Sequence, residues 1–149
     1  MTIDIQDLAR QIGGKPLPGG EIFVEPYESA IADEALQARV DHEYAHPAWF
    51  VIASLRGMGV SVDELRALAH EEPGDTLLFG SCTVDQRHPL RVGGRYITTA
   101  TIGEVASRAM RDGTRLDSVQ VCVSITGADD HIEVGGVTSM YLFKRGAEA

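Results

Sequence analysis

The chain has 149 residues and a mass of 16.1 kDa, the usual size of one domain, and its 44% hydrophobic content suffices for a single core. With 22 acidic against 13 basic side chains the formal net charge is −9, which argues against nucleic acid or an anionic membrane surface as the main partner. No uninterrupted apolar run of about 18 residues is present, so no transmembrane helix is expected.

The opening MTIDIQDLARQIGG carries acids early and no apolar run, unlike a secretory signal, so a cytoplasmic location is expected. Ile3, Ile5 and Leu8 suit a strand or a short helix, and GGKPLPGG (13–20) is expected to stop any regular element. Residues 1–19 thus read as an N-terminal extension ahead of a domain spanning 20–146. EIFVE (21–25) is a short strand, and Pro26 opens a helix on which Tyr27, Ile31, Leu36 and Val40 form the apolar face. After Pro47 the run Ala48-Trp49-Phe50-Val51-Ile52-Ala53-Ser54-Leu55 is apolar on every side, which predicts a helix buried in the middle of the domain. Ser61-Val62-Asp63-Glu64 is a capping box for a further short helix carrying Val62, Leu65 and Leu68.

Beyond EEPGD (71–75) the pattern changes to strands, at 76–85, 95–110, 116–127 and 131–145. The alternation Val119, Val121, Val123, Ile125 is the cleanest period-2 signal. MRDGTR (110–115) and GADD (127–130) are hairpin connections, so the last three strands should be antiparallel neighbours. Gly135-Gly136 predicts a bulge. The fold class is therefore α+β, an antiparallel sheet whose apolar face is covered by the 47–55 helix.

Several chemistries are absent from the sequence. There is no G-x-S-x-G, no P-loop and no G-x-G-x-x-G, and no histidine pair has metal-ligand spacing, so no metal or cofactor is expected. His70, His88 and His131 flank turns and read as exposed. Cys82 and Cys122, without a C-x-x-C pattern, read as packed thiols of a reducing compartment. Asparagine is missing altogether, and arginine outnumbers lysine 11 to 2.

A buried helix, a long strand, a proline-containing loop and three antiparallel strands resemble the hot-dog fold, in which one sheet wraps a central helix, here about 47–58. The stretch TVDQRHPLRVGGRYITTATIGEVASR resembles MaoC-like acyl-thioester hydratases and dehydratases, including their N-terminal type. HPAWFVIASLRGMG (46–59) resembles the central helix of that family. The family step V-x-G-D-x-L/Y reads Val92-Gly93-Gly94-Arg95-Tyr96 here, with Gly94 where Asp is usual.

The resemblance implies water addition to, or removal from, an acyl thioester carried by coenzyme A or a carrier protein, with no further cofactor. Its active members use an Asp and a His in a D-x-N-P-x-H loop before the central helix, and a chain without Asn cannot carry that motif intact. Asp41 and His46 keep the five-residue spacing and are the candidate catalytic pair. A solvated helix end is the alternative for that segment.

Candidate substrate-binding residues are Arg87, Arg91, Arg95, Trp49 and Arg56. Arg87, Arg91, Arg95, Lys144 and Arg145 are the most cationic stretch, and two readings stand: some of them gather at a rim where anionic phosphates would bind, or they keep strand ends soluble. The resemblance further implies a homodimer or a heteromer with a second hot-dog chain. Two versions follow: a dehydratase or hydratase acting through Asp41 and His46, or the substrate-binding half of an enzyme whose partner carries that pair. The rival from another class is a non-catalytic acyl-binding or assembly protein. A thioesterase is disfavoured, because the 47–55 helix has no acid and the nearest are Glu43 and Asp63.

Overall fold

The computed structural model describes residues 2–146. Four helices and five strands follow in the order α1 (Ile5–Ile12), β1 (Pro16–Phe23), α2 (Pro26–Ala35), α3 (Trp49–Gly57), α4 (Val62–Leu68), β2 (Thr76–Gln86), β3 (Arg95–Ala109), β4 (Arg115–Gly127) and β5 (Glu133–Lys144). The strands form one antiparallel sheet in the order β1-β3-β4-β5-β2. The last four strands fall where the sequence places them, and the bulge at Gly135 breaks the β4–β5 register as expected.

Two expectations at the N-terminus are corrected. Pro16 through Gly20 does not interrupt regular structure but forms the first half of β1, because an edge strand tolerates residues that cannot donate to a ladder. The described part of the 1–19 segment also contributes to the core: Asp4 accepts the amides of Gln6 and Asp7 at the start of α1, whose Leu8 and Ile12 are buried.

Paired residues on adjacent antiparallel strands share a face, so the register defines the concave side: Thr98, Ala100 and Ile102 on β3, Val119 to Ile125 on β4, and Val137, Ser139, Tyr141 and Phe143 on β5. The central helix α3 crosses this face and touches all five strands. Its closest approach is at Gly57, whose carbonyl accepts the Thr98 hydroxyl at 2.6 Å. A Cβ on residue 57 would lie 2.5 Å from the Thr98 methyl, so the helix reaches the sheet only because glycine stands there.

The helix is not enclosed on every side, contrary to the all-round burial expected of it. Trp49, Phe50, Ala53 and Ser54 face the sheet, whereas Val51 and Ile52 are half-buried and Leu55 is exposed. The inner face of β2 is open beside it. Phe79 and Val84 pair with Tyr141 and Val137, so they point to the concave side, yet they remain 51% and 38% exposed. One chain thus covers half of its own central helix.

The opposite end of the sheet is closed by buried charge. Arg145 is 2% exposed and reaches Asp117 Oδ2 at 2.8 Å, Asp75 Oδ2 at 3.0 Å and the carbonyl of Ala69 at 2.8 Å. Arg115 grips Asp117 from the other side at 2.8 Å. Lys144 pairs with Asp112 at 3.1 Å. Neither Lys144 nor Arg145 therefore joins the rim of Arg87, Arg91 and Arg95, since both lie at the far end of β5 and both are neutralised. Burial pushes the Asp75 and Asp117 carboxyls up, but the hydrogen bonds they accept outweigh it and hold both below the usual carboxylate range.

Truncating Arg145 to methionine leaves Asp75 without its guanidinium and Asp117 with Arg115 alone, and is expected to cost about 3 kcal/mol at neutral pH. Because both carboxyls are depressed in the folded state, the stability they contribute is complete above the ordinary carboxylate range, about pH 4, and is lost as pH falls through the folded values. Urea titrations of R145M and the parent chain should therefore differ most at pH 7 and converge in acid.

Candidate functional site

The segment joining α2 to α3 carries Asp41 and His46, and its shape is set by a buried carboxylate. Asp33, 2% exposed on the inner face of α2, accepts the Asp41 amide at Oδ2 (3.1 Å) and the Ala38 amide at its own carbonyl (2.8 Å). The helix therefore stops at Ala35 instead of running to Val40, and its apolar residues face outward: Tyr27, Ile31 and Leu36 are exposed while Ser29 and Asp33 are buried. Sequence periodicity assigned the inner face to 27 and 31. The i, i+4 pair Ser29 and Asp33 was the competing stripe, and burial chose it.

Downstream, residues 43–45 are stitched to the 90–92 loop. The Ala45 amide donates to the Leu90 carbonyl (2.8 Å), the Val92 amide donates to the Glu43 carbonyl (2.9 Å), and Tyr44 bridges Arg91. Asp41 Oδ1 accepts the amides of Glu43 (2.8 Å) and Tyr44 (3.0 Å) in an Asx turn. Those bonds, Tyr44 first and Glu43 second, hold its carboxyl below the usual range against the opposing effect of burial.

His46 lies three residues ahead of the central helix, and its Nδ1 accepts the amide of Ala48, the residue that precedes α3, at 3.0 Å. In the neutral ring the proton therefore sits on Nε2, so the imidazole presents a donor and not a base. The next amides are taken as well: Trp49 donates to His46 O, Phe50 to Pro47 O and Val51 to Ala48 O, at 2.9, 3.1 and 3.1 Å. No hydrogen bond or ion pair joins Asp41 to His46 among the described residues. Both side chains serve the backbone that carries them.

The expected binding residues divide. Trp49 is 1% exposed and belongs to the core, with the Arg56 guanidinium 5.5 Å from its ring, and Arg56 pairs with Glu28 at 2.8 Å. Arg87 lies 3.5 Å from Asp85 and 3.9 Å from Glu133, and Arg95 pairs with Glu21 at 2.5 Å. Arg91 alone of the three rim arginines has no carboxylate partner among the described residues. Its guanidinium stacks 5.5 Å from the Tyr44 ring beside a pocket of about 240 Å³, whose walls include Tyr44, His88, Arg91, Tyr96 and Asp130. Arg91 and the 41–46 segment thus meet at one end of the sheet.

Tyr96 was missed by the sequence reading. Its hydroxyl accepts the Arg91 amide at 2.7 Å, folding the ring back over Gly94. A Cβ at 94 would sit 2.9 Å from both the Arg91 carbonyl and that ring, which accounts for glycine where the resembling family has Asp. The departure at 94 and the aromatic residue two positions later form one local solution. Cys82 and Cys122 are half-buried and unpaired, and no cluster of His, Cys, Asp or Glu among the described residues can hold a metal ion.

No protein-family model matches the sequence, and no curated protein matches it. Solved structures do. A chain of the ChsH1-ChsH2 complex from Mycobacterium tuberculosis aligns at TM-score 0.72 and 17% identity, covering 98% of this chain and 94% of that one. A chain of the HadBC (3R-hydroxyacyl-ACP dehydratase) complex from Mycobacterium tuberculosis aligns at TM-score 0.64 and 16% identity, covering 95% and 99%. The MaoC-like dehydratase from Rhodospirillum rubrum aligns at TM-score 0.64 and 11% identity, covering 95% and 98%. Proteins named as thioesterases share the fold as well. The chain has the hot-dog fold expected from its sequence, and no helix among its described residues is long and apolar enough to cross a membrane.

Replacing Gly94 by alanine should cost about 1–3 kcal/mol through overpacking against Tyr96 and the Arg91 carbonyl. Chemical denaturation of G94A and of the double variant G94A/Y96L checks the coupling: the second substitution should recover part of the loss.

Proposed function

We propose that this hot-dog chain is a cytoplasmic subunit of a MaoC-like acyl-thioester dehydratase or hydratase, forming the substrate-binding half of a heteromer whose second hot-dog chain supplies the working Asp/His pair. The reaction is the interconversion of 3-hydroxyacyl and 2-enoyl thioesters of coenzyme A or a carrier protein. It needs a base at the α-carbon, an acid at the β-hydroxyl and donors for the thioester enolate oxygen.

The observation that carries the reading is the bonding of Asp41 and His46. His46 Nδ1 is occupied by the Ala48 amide, and the Asp41 carboxylate is occupied as a turn acceptor. The N-terminal amides of α3 that would serve an enolate oxygen are already engaged. The candidate base atoms and the candidate oxyanion donors are thus each committed to the backbone of this chain.

What the chain does offer is surface. The open flank of α3 (Val51, Ile52, Leu55) and the uncovered inner face of β2 (Phe79, Val84) form an apolar wall, and β2 has an unpaired edge beside it. The carboxylate-free Arg91 beside its small pocket supplies a cation for an anionic carrier arm. The ChsH1-ChsH2 and HadBC structures are complexes of two named components, which supports a second hot-dog chain on that wall. A thioesterase reading lacks the helix carboxylate it would use, since α3 carries none.

The purified chain should not hydrate crotonyl-CoA or a longer enoyl-CoA alone, and should do so with the hot-dog chain encoded beside it. In that mixture D41N and H46Q should leave kcat within about threefold of the parent, whereas removal of a working acid or base costs about 10²–10⁴-fold. Activity of the chain alone, abolished by either substitution, would make it the catalytic half. Turnover in neither combination would favour a non-catalytic acyl-binding or assembly protein.

A second expected outcome concerns Arg91. Replacement by leucine should raise KM for the acyl-CoA about tenfold with kcat nearly unchanged, as loss of one charge-assisted contact to an anion does. Steady-state kinetics of the assembled enzyme check it.

A further inference from the structure

The largest cavity described lies away from the 41–46 segment, at the other end of α3. It holds about 770 Å³ between the C-terminal turn of α1, the first residues of β1 and the inner side of α4. That volume falls in the range of small-molecule sites, about 300–1,000 Å³. Its floor is Ile12, Leu17, Val60 and Leu68, of which Ile12 and Leu17 are fully buried, and Pro16 and Pro18 line its mouth. Exposed prolines on the edge strand keep this wall from pairing with another strand, so a concave apolar surface persists beside a sheet edge that cannot recruit a protein strand.

The polar groups of the cavity are few and placed on its rim. Lys15 has no carboxylate partner among the described residues. His70 Nε2 lies 2.7 Å from Gln11 Oε1, so the imidazole N–H donates to that oxygen and the Gln11 amide hydrogens are left for a ligand. His70 holds a left-handed backbone (φ 54), uncommon for a residue with a side chain, and its carbonyl accepts from the buried Arg145 at 3.4 Å. The buried charge cluster that closes this end of the sheet thus also fixes the residue at the cavity rim. On the opposite wall Glu64 is the single acid of the lining, 3.4 Å from the Ser61 hydroxyl that caps its helix.

We infer that this cavity is a second binding site, for a small amphipathic monocarboxylate whose apolar tail fills the space between Leu17, Val60 and Leu68 and whose carboxylate meets Lys15 and the Gln11 amide. Glu64 disfavours a second negative charge, which separates a monocarboxylate from a diacid or a phosphate. An alcohol of equal length loses the charge-assisted contact with Lys15. The site does not depend on the thioester reading, since it shares no residue with the 41–46 segment or the Arg91 pocket.

Decanoate is the probe. Calorimetric titration of the full chain should give saturable one-to-one binding, about tenfold tighter than decanol, as expected for one charge-assisted contact. Amide chemical-shift changes in a ¹⁵N-labelled sample should map to Leu17, Val60 and Ala67. Charge reversal in K15E should weaken decanoate about tenfold and leave decanol unchanged. A67W, on an exposed turn of α4 beside the cavity, should fill the space and abolish both. No heat and no shift changes with decanoate would overturn the site. Shift changes centred on Tyr44 and Arg91 would overturn its location, and equal affinity for decanoate and decanol would overturn the carboxylate assignment. The shift map does not depend on any variant folding, so a destabilised A67W leaves the inference testable.

Discussion

The arrangement of this chain depends on a helix with no polar side crossing a sheet that can cover only one of its faces. Each apolar side chain left fully in water forgoes about 1.5–3 kcal/mol of burial, and α3 leaves Val51, Ile52 and Leu55 partly accessible. The sheet cannot curl further to reach them, because β2 is its last strand and already turns its own inner residues, Phe79 and Val84, toward solvent. Two uncovered apolar surfaces therefore sit side by side. A second domain of the same shape, offering a helix flank and a strand edge, would satisfy both at once.

The same constraint orders the two ends of the sheet. At one end stability is local and ionic: Arg145 and Arg115 neutralise Asp117 and Asp75 within the body of the chain, joining β4, β5 and the C-terminal end of α4 without outside help. At the other end the backbone is held by amide bonds between residues 43–45 and 90–92 and by the Asp33 carboxylate. Its polar groups point inward and its apolar groups outward. α2 inverts the usual amphipathic rule, with Tyr27 and Ile31 exposed on its outer face and Ser29 and Asp33 buried. One end is held by buried ion pairs, and the other by backbone bonds and one buried carboxylate.

Much of the fold was legible because it rests on short-range pattern. The Val119–Ile125 alternation fixed β4, the hairpin residues fixed its neighbours, and the Ser61–Glu64 capping box fixed α4 to the residue. What the sequence concealed depended on contacts between distant residues. Pro16 and Pro18 look like strand breakers until an edge position removes the need for their missing donors. Tyr27 and Ile31 look like a core stripe until Asp33 is needed to hold the Asp41 amide. Arg145 looks like one more cation of a rim until two aspartates from remote positions enclose it. The spacing of Asp41 and His46 was visible, but spacing carries no information on which ring nitrogen is occupied.

That last point bears on the division of labour proposed above between two chains. A catalytic carboxylate and imidazole must keep their reactive atoms free, which leaves the loop that carries them short of internal bonds. Here the loop has taken those atoms for itself: Asp41 closes a turn, and His46 Nδ1 holds the amide of Ala48 just ahead of the central helix. The loop gains rigidity and loses chemistry. In a subunit that presents a fixed wall to substrate and partner, rigidity is the more useful property, because a wall contributes by excluding water and holding the acyl group in one orientation. The missing asparagine, the glycine at 94 folded under Tyr96 and the His46–Ala48 bond are consistent with one another on that footing: each exchanges a reactive or flexible position for a structural one at the same end of the sheet.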